Sequence, residues 1–426
     1  MADKQFDVVI YGATGYTGQL VARYFLTEQE TAIDAPNALK WAIAGRSKDR
    51  LNQTKELLKE KVPSVSADAI DRIPILVADS DDVEAVLALV KSTKVVLTLA
   101  GPYAKYANLL VQLCAENGVH YCDLTGEMIW ADMNIRKYEA VAKKSGAKIV
   151  HCCGFEAMPS DVSTFLLADF VRTKLQSEVS HISYYWIDSL GGISGGTCAS
   201  LLHMMTMATR QEVKRMFDPF FYTSAEYEKG KAHLVDANKT GFRVKYDKDM
   251  KNWTTVFVGA GANSPVVLRS NYLLGDYYGK AFSYWERFCT GGFFFQNVVS
   301  FFTASLLVLS YFDFTRKYIL EKIVPAPGVG PTEEELAKGF FKAEMLAYDE
   351  NRKLVAKGQT TGAGDPGYLI TSKMIAEMAK CLAKDEHDGA FASGGGFLTP
   401  ASAGGRSLAK RLHDKNVMNF EVKKVE

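Results

Sequence analysis

The 426-residue sequence has almost no net charge, because 50 Lys and Arg residues are matched by 49 Asp and Glu residues. This balance argues against nucleic-acid binding, which normally requires a strongly basic surface. Seven cysteines are present without a CxxC pair, and an odd number fits no closed disulfide framework, so we expect reduced thiols in a cytosolic-type compartment. The sequence also lacks metal-ligand spacing, a GxSxG motif and a signal-peptide pattern, so it supports neither a metalloenzyme nor a serine hydrolase.

The first 150 residues alternate between short apolar runs and helical patterns. Strands are predicted at 6–11, 39–44, 73–78, 94–100, 119–123 and 147–152, with helices at 16–29, 48–61, 81–92, 104–117 and 131–145. Short continuous runs rich in Val, Ile and Leu are typical of strands that are buried on both faces of a parallel sheet. The sequence therefore predicts an α/β fold in which residues 1–160 form a Rossmann-type, doubly wound parallel sheet.

A different pattern follows residue 160. Ser160 and Asp161 predict the N-cap region of a helix that runs to about residue 175. Strands are predicted at 179–188, 242–247 and 254–258. The segment 340–358 predicts a hairpin around Asp349–Arg352, although its first half also fits a helix. These features indicate an α+β substrate or oligomerisation domain over residues 161–365.

The segment VVIYGATGYTG places Gly12, Gly15 and Gly18 where the first strand ends and the first helix begins. A tight turn from strand to helix requires a residue without Cβ, and a backbone that approaches a pyrophosphate closely requires another. The helix N-terminus then offers free N–H groups and the positive end of its dipole to the phosphates. We expect a dinucleotide-binding βα unit here, and a purely structural turn is the alternative.

The residue that follows the second strand distinguishes the two nicotinamide dinucleotides. An NAD enzyme places an acid there for the ribose 2′-hydroxyl, whereas the segment AIAGRS offers Arg46, which suits a 2′-phosphate, so we predict NADP(H). Asp79 after the third strand could accept a hydrogen bond from adenine or cap the next helix, and Gly101 to Tyr103 would lie beside the nicotinamide. The predicted cofactor-binding residues are Gly12, Ala13, Thr14, Gly15, Tyr16, Thr17, Gly18, Arg46, Ser47, Asp79, Ser80, Gly101, Pro102 and Tyr103.

An ordered set of motifs resembles those of the saccharopine dehydrogenase-like oxidoreductases. The set comprises YGATGYTG, AGR, ADSDD, AGPY, YCDLTGE (121–127), GFEAMPSD (154–161), GGISGGTCAS (191–200), GPTEEE (330–335), GDPGY (364–368) and GGGFLTPASAGG (394–405). This family includes eukaryotic lipid-droplet-associated members and bacterial trans-acting enoyl reductases. The resemblance covers nearly the whole chain. It implies an N-terminal Rossmann domain, an inserted substrate domain and C-terminal helices over 366–426 that return to the first domain.

The predicted substrate domain is poor in the cations that a tricarboxylate such as saccharopine would require. Between residues 255 and 312, only Arg269, Lys280 and Arg287 are basic, and aromatic and aliphatic residues dominate. This composition suits a small apolar, lipid-type substrate.

Hydride transfer to such a substrate requires a bound nicotinamide and usually one proton donor. The catalytic candidates are Tyr103, Glu127 and Glu156, with Asp161 and His203 as alternatives. Glu127 and Asp161 could instead cap helices, and His203 could be a packed helical residue. We expect no metal.

Residues 288–312 carry no formal charge and are followed by Arg316, Lys317 and Lys322. A single helix of this length would measure on the order of 37 Å, which is enough to cross a bilayer, but glycine and amide residues interrupt it. Three interpretations stay open: a buried core or homodimer interface, insertion into a membrane or lipid-droplet surface, and a full span. The three cations would suit anionic head groups.

Two functions are therefore compatible with the sequence. The first is an NADPH-dependent oxidoreductase at the cytoplasmic side of a membrane that reduces a C=C or C=O group of a lipid-type substrate, as an enoyl reductase does. The second is a non-catalytic nucleotide-binding protein that associates with membranes or lipid droplets. Only the first predicts oxidation of NADPH in the presence of a lipid.

Overall fold

The computed structural model describes residues 4–191, 209–216, 218–239, 241–311, 315, 330–384 and 394–425. The predictions on His203, on most of the GGISGGTCAS segment and on Arg316, Lys317 and Lys322 lie outside the described residues. Two seven-stranded sheets organise the chain.

The first sheet is built from β1 (Phe6–Tyr11), β2 (Trp41–Gly45), β3 (Ile75–Val77), β4 (Thr93–Thr98), β5 (His120–Cys122), β6 (Lys148–Val150) and β13 (Gly396–Leu398). All strands run parallel in the order β13-β6-β5-β4-β1-β2-β3. The helices along it are α1 (Tyr16–Thr27), α2 (Lys48–Lys61), α3 (Ala67–Asp71), α4 (Val83–Ser92), α5 (Tyr103–Tyr106), α6 (Asn108–Asn117) and α7 (Met128–Ser145). Val8 and Ile10 are buried on one face of β1, and Val9 and Tyr11 on the other. The predicted doubly wound α/β fold is confirmed, with the helix at 104–117 interrupted at Ala107.

The second sheet contains β7 (His181–Leu190), β8 (Lys245–Asp247), β9 (Asn252–Val256), β10 (Ser283–Phe288), β11 (Phe340–Tyr348), β12 (Leu354–Ala363) and β14 (Asn419–Lys424). Its order is β14-β12-β11-β7-β10-β9-β8, with β7 and β10 parallel and the other neighbours antiparallel. The helices here are α8 (Met158–Lys174), α9 (Arg210–Arg215), α10 (Ala225–Gly230), α11 (Ala260–Leu273), α12 (Phe293–Tyr311) and α13 (Glu333–Lys338). The helical alternative for the first half of 340–358 is wrong, because Phe341, Ala343 and Met345 are buried at the two-residue spacing of a strand.

Helix α8 begins earlier than the sequence predicts. Its first residue is Met158, so Ser160 and Asp161 lie inside the first turn and do not cap the helix. Both side chains are buried and have tertiary partners: the Ser160 hydroxyl donates to Glu286 over 3.2 Å, and Asp161 accepts the Ala401 N–H over 2.8 Å. These two contacts join α8 to the second sheet and to the C-terminal part of the chain.

The C-terminal part returns to the first sheet, as the fold prediction requires. Helix α14 (Thr371–Ala383) follows a short π-helix (Pro366–Ile370) and packs against α1, β1, β4 and β5. Helix α15 (Pro400–Asp414) packs against α14 and α8, and β14 then adds to the second sheet. The chain therefore crosses between the two sheets several times. The domain boundaries at residues 160 and 365 stay predictions.

A buried ionic cluster fixes α14 to α1 and α15. The Glu377 carboxylate accepts hydrogen bonds from Lys380 Nζ at 2.8 Å, from the Tyr24 hydroxyl at 2.8 Å and from Arg411 Nε at 2.9 Å. Glu377 and Lys380 are fully buried, and the Lys380 ammonium lies 4.6 Å from the centre of the Tyr24 ring. Burial removes the water around the Glu377 carboxylate, and the three hydrogen bonds, two of them from cations, compensate for that loss of hydration.

Helix α12 carries the uncharged segment, and its aromatic residues face outward. Phe294, Phe301 and Phe302 are 84%, 71% and 67% exposed, so the buried-core interpretation is wrong for these residues. Among the helices within the described ranges, none is both long and apolar enough to cross a bilayer.

Replacement of Glu377 tests the role of the buried cluster. We expect Glu377→Ala to lower the free energy of unfolding by about 3–5 kcal/mol, because it leaves buried cations without their counter-charge. Urea denaturation measures this loss. The control is Asp414→Ala, which removes the exposed ion pair with Lys410 and should cost less than about 1 kcal/mol. Equal losses in the two variants would contradict the proposed importance of the cluster.

Candidate functional site

The three glycines after β1 are required for different reasons. Gly12 has a φ of +85°, and a Cβ there would lie 2.9 Å from the backbone nitrogen of Ala100. A Cβ at Gly18 would lie 2.4 Å from the Gly12 carbonyl oxygen. A Cβ at Gly15 would meet only the Gly12 oxygen, at an ordinary 3.5 Å. The protein's own packing therefore requires the first and third glycines, and the second leaves open space next to the turn, as the approach of a pyrophosphate demands.

Helix α1 presents an open N-terminus at this turn. Gly15 is its N-cap residue, no side chain caps the helix, and its first turn contains no acidic residue. Ala13 is buried in the core, whereas Thr14 and Thr17 are half-buried next to the turn. The uncapped N–H groups and the positive end of the helix dipole are available to phosphate.

Tyr16 has partners within the protein. Its hydroxyl donates to the Pro331 carbonyl oxygen over 2.5 Å, and its ring packs edge-on to Tyr368 with centroids 5.0 Å apart. Arg23 on α1 also pairs with Glu333 at 2.7 Å. The GPTEEE segment thus crosses α1 next to the glycine turn, and Tyr16 joins the two.

Arg46 follows β2 with an exposed side chain. In the described part of the chain its guanidinium has no hydrogen-bonded or ion-pair partner. The adjacent Ser47 caps α2 by accepting the Arg50 N–H over 3.4 Å. A planar cation that is unpaired next to the turn can bind a 2′-phosphate.

The loop after β3 contributes the other predicted adenosine contacts. Asp79 is exposed, and the N-cap of α4 is Asp82, which accepts the Ala85 N–H over 3.0 Å, so the capping alternative for Asp79 is wrong. Ser80 lines a cavity of about 240 Å³ between this loop and the α5–α6 region. Its other lining residues are Asp81, Lys105, Tyr106, Asn108 and Leu109. The position and size of this cavity suit one end of a dinucleotide.

The AGPY turn after β4 is held by Glu127. Its fully buried carboxylate accepts the Tyr103 N–H over 2.7 Å and the Ala104 N–H over 2.9 Å, which caps α5. Gly101 is exposed at the sheet edge, and Pro102 is the N-cap residue of α5. Both Glu127 oxygens therefore hold this turn in place, which agrees with the alternative that Glu127 caps a helix.

The Tyr103 side chain points into the first domain. Its hydroxyl accepts the Leu124 N–H over 3.3 Å, and its ring stacks on Trp130 with centroids 5.9 Å apart. Burial, reinforced by the charge of Asp123, raises the pKa of Tyr103 well above its usual value. This placement does not favour Tyr103 as a proton donor, and its catalytic role stays a prediction.

Glu156 lies next to the same turn. A Cβ on Gly126 would come within 2.3 Å of Glu156 Oε2, so the half-buried carboxylate lies directly over this glycine. The structure thus brings Tyr103, Glu127 and Glu156 together at the carboxyl ends of β4, β5 and β6, where ligands bind in folds of this kind.

Sequence analysis missed a buried pair at this edge. Asp123 follows β5 and His151 follows β6, with Asp123 Oδ2 2.7 Å from His151 Nδ1 and 2.9 Å from the Tyr121 hydroxyl oxygen. The other carboxylate oxygen accepts the N–H groups of Thr125 at 3.0 Å and Cys152 at 3.3 Å. The sequence feature that could have indicated this pair is that Asp123 and His151 each come directly after a buried strand.

An aromatic cluster lies where the loop after β6 meets the second sheet. The Phe155 ring lies 5.0 Å from Trp186 on β7 and 5.0 Å from Phe341 on β11, and Trp186 lies 4.9 Å from Phe257. The Trp186 Nε1–H donates to Glu286 over 2.6 Å. Burial raises the pKa of Glu286 to about 7. Phe155, Trp186, Phe257 and Phe341 form what we call the aromatic wall.

The arginines near this wall are engaged by the protein itself. Arg269 donates to the carbonyl oxygens of Tyr222 and Phe397, and Arg287 donates to those of Arg243 and Thr254. Lys280 is exposed. These three cations do not converge on a carboxylate site.

Comparison with known proteins identifies the family. The saccharopine dehydrogenase NADP-binding domain profile matches residues 8–150. A provisionally named trans-acting enoyl reductase of Mycobacterium tuberculosis is 32% identical over 422 residues, which cover 96% of each chain. The chain belongs to the saccharopine dehydrogenase-like oxidoreductases.

Further members and a solved structure agree with this assignment. The trans-acting enoyl reductase of Mycobacterium bovis is 30% identical over 440 residues, with 98% of each chain covered. The apo saccharopine dehydrogenase (L-Glu forming) of Saccharomyces cerevisiae has a TM-score of 0.54 at 11% identity, covering 98% of this chain and 99% of that one, and shows the shared fold. The chain is an oxidoreductase of this family, and its cofactor is NADP(H).

The variants Gly15→Ala and Gly18→Ala distinguish an effect on cofactor binding from an effect on folding stability. Gly15→Ala should leave the free energy of unfolding within about 0.5 kcal/mol of the wild type, because the added methyl group meets no protein atom closely. The same methyl group would occupy the space of the pyrophosphate, so the Kd for NADPH should rise at least tenfold, about 1.4 kcal/mol. Gly18→Ala should destabilise the fold by about 1–3 kcal/mol. Unchanged NADPH affinity in a folded Gly15→Ala protein would contradict this placement of the pyrophosphate.

Arg46→Ala tests the discrimination between the two dinucleotides. Loss of a charge-assisted contact with the 2′-phosphate should raise the Kd for NADPH about 10- to 100-fold, while the Kd for NADH should change less than about threefold. Titration calorimetry measures both constants. Arg50→Ala, an exposed arginine one turn further along α2, is the matched control and should change neither. An equal loss for NADPH and NADH would show that Arg46 does not read the 2′-phosphate.

Proposed function

We propose that this oxidoreductase reduces a C=C or C=O group of an apolar, lipid-type substrate with NADPH, as an enoyl reductase does. The observation that carries the proposal is the aromatic wall, in which Phe155 of the loop after β6 contacts Trp186 and Phe341 of the second sheet, with no convergent arginine cluster among the described residues. The names of the mycobacterial relatives, trans-acting enoyl reductases, support the same reaction class. A tricarboxylate substrate would instead require several convergent cations.

The first domain offers a contact for each part of the cofactor. The glycine turn and the N-terminus of α1 would hold the pyrophosphate, and Arg46 with Ser47 would hold the 2′-phosphate. Asp79 and Ser80 would contact the adenosine end, and Gly101 with Pro102 would lie at the nicotinamide end. When bound, NADPH supplies the hydride. Glu127 keeps the backbone of the AGPY turn in place beside it.

The aromatic wall would exclude water and bind the apolar chain of the substrate. Phe155 comes from the loop after β6, whereas Trp186 and Phe341 come from the second sheet, so the wall spans the junction of the two domains. Its Trp186 ring is held in place by the hydrogen bond to Glu286. Aromatic side chains bury large areas in a defined geometry, which suits recognition of a long alkyl or polyprenyl chain.

Turnover measurements test the proposed reaction. We expect the purified protein to oxidise NADPH in the presence of trans-2-dodecenoyl-CoA or a lipid extract, and to use NADH much less well. Trp186→Ala should raise KM for the dodecenoyl thioester about tenfold, with a smaller effect on crotonyl-CoA, because a large apolar contact is lost. Trp285→Ala on β10 is the control, because this indole donates to the Ala237 carbonyl oxygen outside the wall. Tight NADPH binding without turnover across a broad lipid panel would favour the non-catalytic alternative.

We also propose that the protein meets its substrate at a lipid surface through helix α12. Phe294, Val298, Phe301 and Phe302 are exposed on this helix, and single-chain proteins rarely expose so many large apolar side chains together. The Ser300 hydroxyl bonds the Phe242 carbonyl oxygen over 2.7 Å, which places the strand region around β8 next to the helix. The exposed Arg243 and Lys245 lie in this region and suit anionic head groups.

Co-sedimentation with vesicles of phosphatidylcholine and phosphatidylserine tests the lipid contact. The double variant Phe294→Ser/Phe301→Ser should reduce vesicle binding at least tenfold, about 1.4 kcal/mol, because two large apolar side chains no longer enter the bilayer interface. The control Val77→Ser/Val83→Ser removes two exposed apolar side chains of the first domain and should bind as the wild type does. Equal binding by both double variants would remove α12 as the contact.

A further inference from the structure

His151, at the end of β6, is a buried histidine with one ring nitrogen that lacks a partner among the described residues. Its Nδ1 lies 2.7 Å from Asp123 Oδ2, whereas Nε2 is buried without a hydrogen bond in the described part of the chain. The ring is 7% exposed. An unsatisfied buried polar atom of this kind requires an explanation such as a catalytic role or a bound group.

Asp123 determines which ring nitrogen of His151 is left without a hydrogen bond among the described residues. Its carboxylate already accepts the Tyr121 hydroxyl and the N–H groups of Thr125 and Cys152, so it acts as an acceptor and Nδ1 of His151 is the donor. Cys152 adopts a φ of +61°, a strained conformation for a residue with a side chain, and this turn directs its N–H to Asp123. The backbone and the carboxylate together leave Nε2 of His151 as the nitrogen that can exchange a proton with another molecule.

His151 lines a small cavity where the two domains meet. The cavity has a volume of about 20 Å³, room for roughly one water-sized group, and its walls include Ala131, Ile135, Val266 and Phe397. Arg269 also lines it, with a buried Nε that has no partner among the described residues. A mostly apolar cavity lined by two residues whose buried nitrogen atoms have no partner among the described residues suits the oxygen or the reacting carbon of an otherwise apolar carbonyl compound.

In the first sheet β5 lies between β6 and β4, and the end of β4 carries the AGPY turn. The Trp130 ring lies 5.9 Å from Tyr103 of that turn and 5.1 Å from His151, so one indole contacts both the AGPY turn and His151. The hydroxyl of Tyr103 and both carboxylate oxygens of Glu127 are engaged by backbone amides. Both oxygens of Glu127 are thus engaged, whereas Nε2 of His151 has no hydrogen bond among the described residues.

We propose that His151 is the proton donor of the reduction and that Asp123 is its positioning residue, an inference that rests on the proposed function. Reduction of an α,β-unsaturated carbonyl compound adds one hydride and one proton across the double bond. The hydride comes from NADPH, which leaves as NADP⁺, and the proton leaves Nε2 of protonated His151 for the α-carbon, so that His151 becomes neutral and regains its proton from water. The Arg269 Nε–H would stabilise the carbonyl oxygen while it carries negative charge.

Chemical labelling tests access to His151 without any turnover. Diethylpyrocarbonate is applied to the full-length protein, alone and with NADP⁺ plus trans-2-dodecenoyl-CoA, and the modified peptides are quantified by mass spectrometry. We expect slow modification of His151 in the free protein and loss of that modification with the two ligands, whereas the exposed His233 is modified equally in both. No modification of His151, or equal modification with and without ligands, would overturn the inference.

Kinetics of three variants test the proton transfer. His151→Gln should lower kcat about 10²- to 10⁴-fold with an unchanged Kd for NADPH. His120→Gln is the matched control, a buried histidine whose Nδ1 accepts the Lys148 N–H over 3.1 Å, and it should change kcat less than about threefold. Tyr121→Phe removes a single donor to Asp123 and should shift the basic limb of the kcat–pH profile. The titratable or charged groups around His151 that could share this limb are Asp123, Tyr121, Cys152, Tyr222 and Arg269.

The outcomes separate this inference from the proposed function. Turnover by the wild type with full kcat in a folded His151→Gln protein would overturn the role of His151 and leave the proposed reduction intact. Protection of His151 from labelling without turnover by the wild type would contradict the proposed reduction and the proton transfer with it. Turnover, protection and loss of kcat in His151→Gln together support both.

Discussion

The structure depends on the packing of α14 against the first sheet. A doubly wound sheet must cover both faces, and here the helix that covers part of one face follows six of the seven strands of the second sheet in the chain. The buried carboxylate of Glu377 holds this helix by binding Lys380, Arg411 and Tyr24 at once. Because β13 also completes the first sheet and β14 the second, several crossings fix the two domains against each other. The position of the second sheet relative to the first therefore depends on the C-terminal part of the chain.

This arrangement explains how the acidic residues near the site are used. Glu127 caps α5. Asp161 accepts hydrogen bonds from the Ser270 hydroxyl on α11 and from the Ala401 N–H at the start of α15. Both carboxylates therefore stabilise turns that surround the candidate site. Burial raises the pKa of Asp161 to about 7, although hydrogen bonds from Ser270 and Ala401 act in the opposite direction.

Local patterns carried most of the correct predictions. The βα alternation, the glycine turn and the exposed Arg46 depend on residues close in sequence, and the structure places all three as the sequence indicates. Contacts between segments that are distant in the sequence could not be predicted from local patterns. Asp123 and His151 are 28 residues apart and meet only because β5 pairs with β6, and the partners of Ser160 and Asp161 come from β10, α11 and the start of α15. The aromatic residues of α12 do not reveal from the sequence alone whether the helix is buried or exposed. Only the structure shows that Phe294 and Phe301 are exposed.

Transfer of deuterium from labelled cofactor tests the central claim most directly. The protein is incubated with a lipid extract and NADPH that carries deuterium at the transferred position of the nicotinamide, and the lipids are then compared by mass spectrometry. We expect a lipid product that has gained one deuterium from the cofactor and one hydrogen from water. Oxidation of the labelled NADPH without deuterium in any lipid would contradict the proposal that this oxidoreductase acts on a lipid.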